Sequence, residues 1–147
     1  MNQIIMRQAA VDAEILHHTV VRRSEWFRGR MMQTTRMPSS LLTPNGKRCC
    51  LGFTAAQCGI PDAKLEGLLY PYYLTRAPYI GGPVLYQRWG LPKALQMLIS
   101  RYGDMNSFTA AHLGSMNDTY CYDTDAQREA DIKAEGRRIG IIFHFID

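Results

Sequence analysis

Adjacent cysteines offer the most direct chemistry in this sequence. Cys49 and Cys50 follow the basic pair Lys47-Arg48 at the start of a predicted helix. A neighbouring cation or a helix N-terminus lowers the pKa of a thiol and favours the nucleophilic thiolate. The other interpretation is structural, in which Cys49, Cys50 and Cys58 pack as small apolar side chains between a hairpin and a helix.

Groups that could assist such a thiolate are distant from it in the sequence. His112 or His144 could act as the base, and Asn117 or Asp118 could orient that histidine, as in a Cys-His-Asn arrangement. Because each of these residues also has a structural explanation, we assign no catalytic residue. A cysteine-dependent enzyme is kept as an alternative to a protein that binds without turnover.

The histidines and cysteines are not spaced for a metal site. The four histidines show no HxxxH or HxxE pattern, and the four cysteines include no CxxC pair. A metal centre would have to be assembled from distant segments. Glycine-rich phosphate-binding fingerprints are also absent from the sequence. The sequence therefore predicts neither a metal ion nor a cofactor.

A second set of residues has the chemistry needed to bind an anion. Arginines bind phosphate, aromatic rings stack on bases, and amides or carboxylates bind the edges of sugars and bases. The candidates are Trp26, Arg28, Arg30, Arg48, Tyr72, Tyr73, Arg76, Arg88, Asn117 and Asp118. They are compatible with a protein that sequesters a small anionic nucleotide signal. Tyrosine, tryptophan and arginine are also the usual hot-spot residues of protein interfaces.

The segment 69–90 is rich in proline, glycine and tyrosine and shows no clean period. A long irregular stretch inside a small domain is typical of a binding loop or a partner surface. This segment could therefore dock on a host enzyme. The alternative is an irregular, aromatic core wall.

Length, composition and charge describe one mildly basic domain spanning residues 1–147. Apolar residues make up 46% and charged residues 20% of the chain, which excludes wholesale disorder. The net charge of +4 divides into +5 for residues 1–50, +2 for 51–100 and −3 for 101–147. No basic recognition helix stands out, so DNA binding is not expected. The basic first half favours a docking surface, and a homodimer is compatible with it.

Neither a membrane anchor nor a secretion signal is apparent. The longest nearly uncharged apolar stretch, residues 139–146, is far shorter than the roughly 20 residues that a spanning helix needs. The first residues lack the charged, apolar and small-residue order of a secretory signal. We therefore expect no membrane association and a cytoplasmic location.

Capping residues and periodic apolar positions predict a mostly helical chain. The expected helices are an amphipathic one over residues 3 to about 20, a turn or two at 24–30, and others over 50–58, 61–68, 92–103, 107–114 and 125–138. A polar corner is expected at 115–120. Thr124 and Gln127 fit a capping box at the start of the last helix.

The strands complete an expected α+β fold. Pro44-Asn45-Gly46 predicts a hairpin over about 41–49, since asparagine and glycine tolerate the positive φ of tight turns. Residues 139–146 are β-rich and apolar on both faces, which predicts a strand covered on both sides. We expect this strand to pair with the hairpin in a small antiparallel sheet.

Several segments carry a resemblance to a known family. They are Trp26 with Gly29, Gly46-Lys47-Arg48-Cys49-Cys50-Leu51-Gly52-Phe53, Asn117-Asp118, Arg128-Glu129-Ala130-Asp131-Ile132 and Gly140-Ile141-Ile142-Phe143. The sequence resembles small proteins of bacteriophages, prophages and bacteria that share a Cys-Cys-Leu-Gly segment and a later Asn-Asp pair. The resemblance implies an accessory protein that antagonises host defence in the bacterial cytoplasm, and it brings no catalytic residues. The resulting expectation is a non-enzymatic inhibitor that binds a host protein.

Overall fold

The computed structural model describes residues 14–28, 40–68, 71–74, 90–99, 105–119 and 122–147. Within these ranges two strands are formed, β1 (His17–Arg22) and β2 (Ile141–Ile146). The helices are α1 (Cys50–Gln57), α2 (Asp62–Leu65), α3 (Lys93–Leu98), α4 (Met105–Asp118) and α5 (Asp125–Arg137). Short 3-10 turns occupy Arg23–Glu25 and Pro71–Leu74. In these ranges no helix is long and apolar enough to cross a membrane.

The sheet consists of β1 and β2 paired in parallel, in a register that runs from His17 opposite Ile141 to Arg22 opposite Ile146. The expected antiparallel sheet is therefore wrong. The location of the C-terminal strand was predicted correctly, but its partner was not. An alternating pattern shows which faces of a strand are apolar without specifying which strand lies beside it.

Residues 41–49 form the expected turn but no hairpin. The Thr43 amide donates to the Lys47 carbonyl at 2.8 Å, and Gly46 has a φ of +83°. Outside the turn, Leu42 forms a parallel bridge to Glu66, and Arg48 forms one to Trp26. The Cys49 amide still donates to the Ser40 carbonyl at 3.2 Å, but the flanks form no antiparallel ladder because each is bridged to a different segment.

The helix expected over residues 3–20 is wrong where the structure describes it. Residues 17–22 form β1, in which Thr19 and Val21 are buried while His18, Val20 and Arg22 are exposed. The run of β-branched residues and the period of two outweigh the helical spacing of the apolar residues. Residues 3–13 lie outside the described ranges.

The helices expected over 50–58 and 125–138 are confirmed. Those expected over 61–68 and 92–103 begin near their predicted starts but end early, at Leu65 and Leu98, and the turn expected at 24–30 ends at Glu25. Thr124 caps α5, since its hydroxyl accepts from the Gln127 amide at 3.2 Å. The polar corner expected at 115–120 is wrong, because α4 continues to Asp118. The buried Arg128 side chain donates to the carbonyls of Met116 and Asn117 at 2.7 and 2.9 Å, which satisfies two groups at the end of α4.

One face of the sheet is buried against α1 and α5, which contact β1 and β2 respectively. Val21, Ile141 and Phe143 lie there in the core. Close packing requires a glycine in α5, because a Cβ on Gly136 would come within 2.5 Å of the Phe143 ring. Gln57 covers the edge of β1 by accepting from the Val20 amide at 2.9 Å and donating to the Val20 carbonyl at 2.7 Å.

The opposite face of the sheet, here called the outer sheet face, is largely open to solvent. Its six positions are His18, Val20, Arg22, Ile142, His144 and Ile146. Only Ile142 is half-buried, and the other five side chains are exposed. The expectation of a strand covered on both faces is therefore wrong for β2.

Candidate functional site

Asn117, in the last turn of α4, connects three segments of the chain. Its Oδ1 accepts from Trp26 Nε1 at 2.7 Å and from the Cys50 amide at 3.0 Å. Its Nδ2 donates to the Phe27 carbonyl at 2.8 Å and to Asp118 Oδ1 at 2.9 Å. Asn117 has no exposed surface, so these bonds satisfy an amide that would otherwise be costly to bury.

The arginines of the candidate anion site pair with the chain's own carboxylates. Arg28 lies over the Trp26 ring, 4.4 Å from its centroid, and donates to Asp125 Oδ2 at 2.6 Å. This bond lowers the pKa of Asp125. Arg48 donates to Asp62 Oδ1 at 2.8 Å. A phosphate ligand would have to displace these carboxylates.

The structure brings part of the candidate set together. Trp26, Arg28, Asn117 and Asp118 gather near the end of α4, and Arg48 is joined to Trp26 by its backbone bridge. The remaining candidates are not described at the level of their side chains. Tyr72 and Tyr73 lie in a 3-10 turn, whereas Arg30, Arg76 and Arg88 lie outside the described ranges, as does most of the segment 69–90.

The cysteines considered as nucleophiles are buried. Burial raises the pKa of Cys49 to about 12 and that of Cys50 well above its usual value. The Cys50 thiol contacts the Leu113 carbonyl at 3.7 Å, a structural use. Both residues stand at the start of α1, but desolvation outweighs the effect of the helix N-terminus on their pKa values. The thiols are thus held in the protonated, unreactive form.

The histidines proposed as bases have other partners. His112 lies 3.4 Å from Glu135, and His144 contacts His18 on the outer sheet face. The cysteines lie on the buried side of the sheet with α1. No thiol–histidine pair was found in the described part of the chain, so the Cys-His-Asn arrangement has no geometric support there.

A buried line of hydroxyl groups joins β1 to α1. Thr19 Oγ1 lies 3.0 Å from His17 Nδ1 and 2.9 Å from Thr54 Oγ1. Burial of the imidazole lowers the pKa of His17. Because Thr19 and Thr54 have no exposed surface, no substrate reaches their hydroxyls. We interpret this line as a structural link between sheet and helix.

His18 and His144 form an exposed pair that the sequence analysis did not detect. His18 Nδ1 and His144 Nε2 are 2.8 Å apart, and the two rings meet edge to edge, with centroids 5.1 Å apart and 22° between their planes. These residues are 126 positions apart in the chain. Their only sequence signal is that both alternate with apolar residues in β-rich segments. The pairing of β1 with β2 could not be read from that signal.

Clusters of three or more histidine, cysteine, aspartate or glutamate side chains suited to a metal ion were not found among the described residues. Comparison with known proteins gives no assignment, since no family model, no curated protein and no solved structure matches the chain.

Proposed function

We propose that the protein acts by binding another protein without turnover, as a phage or prophage accessory protein that inhibits a component of host defence in the bacterial cytoplasm. The observation that carries this proposal is the outer sheet face. Val20 and Ile146 each leave 38% of their surface exposed there, on the two neighbouring strands. Aliphatic side chains clustered in solvent are typical of an interaction surface.

The charge on this face indicates the chemistry of the partner. Arg22 stands at one end of it, and none of its six positions carries a carboxylate. Two nearby acids of the C-terminal third share one other arginine, since Glu129 and Asp147 both contact Arg23. The complementary partner is therefore a protein surface with an apolar centre and an acidic rim.

The burial and the internal contacts of the other candidate residues also support binding over turnover. The thiols of Cys49 and Cys50 are desolvated. The Trp26 indole N–H donates to Asn117 Oδ1, and the Arg28 guanidinium donates to Asp125. The nucleotide-sequestering alternative would need these contacts to be broken, whereas docking on the outer sheet face leaves them intact.

The proposal is tested by affinity capture from bacterial cells with the protein and two variants. Val20→Glu places a carboxylate on the outer sheet face, where it would repel an acidic rim and interrupt an apolar contact. Ala130→Glu makes the same change at an exposed position of α5 and serves as the matched control. We expect a host protein to bind the unmodified chain and the Ala130→Glu variant, and to be lost with Val20→Glu.

The captured protein is then purified, and its affinity and activity are measured with each variant. Inhibition by the unmodified chain, weakened at least about tenfold by Val20→Glu, would support the proposal. Equal binding of both variants would overturn it. So would self-association of the purified chain that Val20→Glu abolishes, because a second copy would then occupy the face.

A further inference from the structure

We propose that His18 and His144 form a two-imidazole site for a divalent late transition-metal ion such as Zn²⁺, Ni²⁺ or Cu²⁺. The pair lies on the outer sheet face, but the proposal does not rest on the proposed function, because it concerns the isolated chain. Two parallel strands hold the ligands, with His144 opposite Val20 and His18 opposite Ile142. The two imidazoles are therefore diagonal neighbours on a single face, and both are exposed.

The spacing of the ring nitrogens is close to what a chelated metal requires. At metal–nitrogen distances of about 2.0–2.1 Å, two ligands at a right angle are roughly 2.9 Å apart, and ligands at a tetrahedral angle roughly 3.4 Å. His18 Nδ1 and His144 Nε2 are separated by 2.8 Å. In the hydrogen-bonded pair the two facing nitrogens point at each other. Each exposed ring must therefore turn by roughly 35–45° for both lone pairs to meet at one ion at these metal–nitrogen distances, while the paired strands fix the backbone.

The protonation states of neutral imidazoles allow both nitrogens to face the metal. In the hydrogen-bonded pair, one ring donates and the other accepts. Each neutral ring carries a single N–H, and the tautomers with protons on His18 Nε2 and His144 Nδ1 leave a lone pair on both facing nitrogens. The bridging proton therefore moves to the far nitrogen of its own ring, and the neutral pair binds the ion without net proton release.

The site has two protein ligands in the described ranges, because nearby groups do not reach the pair. His17 points to Thr19, at 3.0 Å from its hydroxyl. In the described ranges no third histidine, cysteine or carboxylate joins the pair. The remaining coordination positions open onto solvent at the outer sheet face, where water fills them. Imidazole ligands suit zinc, copper and nickel, with the highest affinity expected for copper.

The test is a calorimetric titration of Ni²⁺, and separately of Zn²⁺, into the full chain with any affinity tag removed. We expect one ion to bind through the pair. His18→Ala and His144→Ala should each weaken this binding more than the roughly tenfold typical for loss of a metal site's supporting residue. His112→Ala removes an exposed histidine beside Glu135 and serves as the matched control, with unchanged affinity.

The spectrum of bound Cu²⁺ provides a second readout. Electron paramagnetic resonance should show nitrogen hyperfine coupling from two imidazoles in the unmodified chain and from fewer in either single variant. Circular dichroism establishes that the variants are folded. Absence of binding, or equal affinity in His18→Ala, His144→Ala and the unmodified chain, would overturn the site. Because no partner is present in these titrations, their failure would leave the capture result unaffected.

Discussion

Trp26 and Asn117, 91 residues apart in the chain, are joined by a 2.7 Å hydrogen bond from the indole N–H to the side-chain amide oxygen. The same oxygen accepts from the Cys50 amide at the start of α1. The segments around Trp26, Cys50 and Asn117 thus meet at one buried amide. These contacts give Trp26 and Asn117 a structural role in the core.

Replacing Asn117 by alanine should destabilise the fold strongly. The Trp26 indole N–H and the Cys50 amide would lose their acceptor inside the core. Each buried unsatisfied group costs about 1–3 kcal/mol, so we expect the free energy of unfolding to fall by roughly 2–6 kcal/mol. Urea denaturation measures this loss. Ser115→Ala, at an exposed position of the same helix, is the control and should change stability little; equal effects would contradict the role of Asn117.

Gly52 in α1 should not tolerate a side chain. A Cβ at this position would overlap the Leu41 carbonyl oxygen, so the backbone of one segment would have to move. We expect Gly52→Ala to lower the free energy of unfolding by about 1–3 kcal/mol or more. Gly90→Ala is the matched control, because a Cβ there meets nothing within 4 Å. A thermal melt that shows equal stability for both variants would refute this packing.

Thiol alkylation should distinguish the cysteines of the folded chain. Burial raises the pKa of Cys49 to about 12 and that of half-buried Cys58 to about 11, and it protects Cys50 as well. Iodoacetamide at pH 8 should therefore leave Cys49 and Cys50 unmodified and label Cys58 slowly. Fragmentation of the tryptic peptide that carries all three locates the label. Urea-unfolded protein is the control and should react at every thiol. Rapid labelling of native Cys49 would contradict its burial and support the enzyme alternative.

Stability should decrease as the pH falls below about 6.5, in part because of His17. Burial lowers the pKa of this imidazole from 6.5, so the unfolded chain takes up a proton more readily than the folded chain. The stabilisation is complete above pH 6.5 and is lost as the pH falls towards the folded-state pKa. Urea midpoints at pH 7.5 and 5.0 should thus differ more for the unmodified chain than for His17→Gln. An identical pH dependence would exclude His17 as a contributor.

Arg23 should contribute more to stability than its neighbour Arg22. Arg23 contacts both oxygens of Glu129, at 2.7 and 3.0 Å, and Glu129 is only 8% exposed. Arg23→Gln leaves this mostly buried carboxylate without its cation, so the free energy of unfolding should fall. Arg22→Gln removes the same charge from the exposed face and should change stability by less than about 0.5 kcal/mol. Chemical denaturation of both variants measures the difference, and equal losses would contradict it.

The elements that the sequence predicted correctly depend on local interactions. The Thr124 hydroxyl caps α5 through the amide three residues later, and the turn at 43–47 needs a positive φ at Gly46. Both are decided within a few residues, so residue types and spacing suffice. The polar corner at 115–120 failed for a different reason. Arg128, on the next helix, satisfies the carbonyls at the end of α4, and this contact has no local sequence pattern.

The sequence alone determined the helices near 50–58 and 125–138, the location of the C-terminal strand, and the acidic character of the last third of the chain. Only the tertiary structure decided that β2 pairs in parallel with β1, that Asn117 joins three segments, and that His18 meets His144. The physical reason is that alternation and capping are properties of neighbouring residues. The choice of partner depends on packing and hydrogen-bond satisfaction between residues about a hundred positions apart.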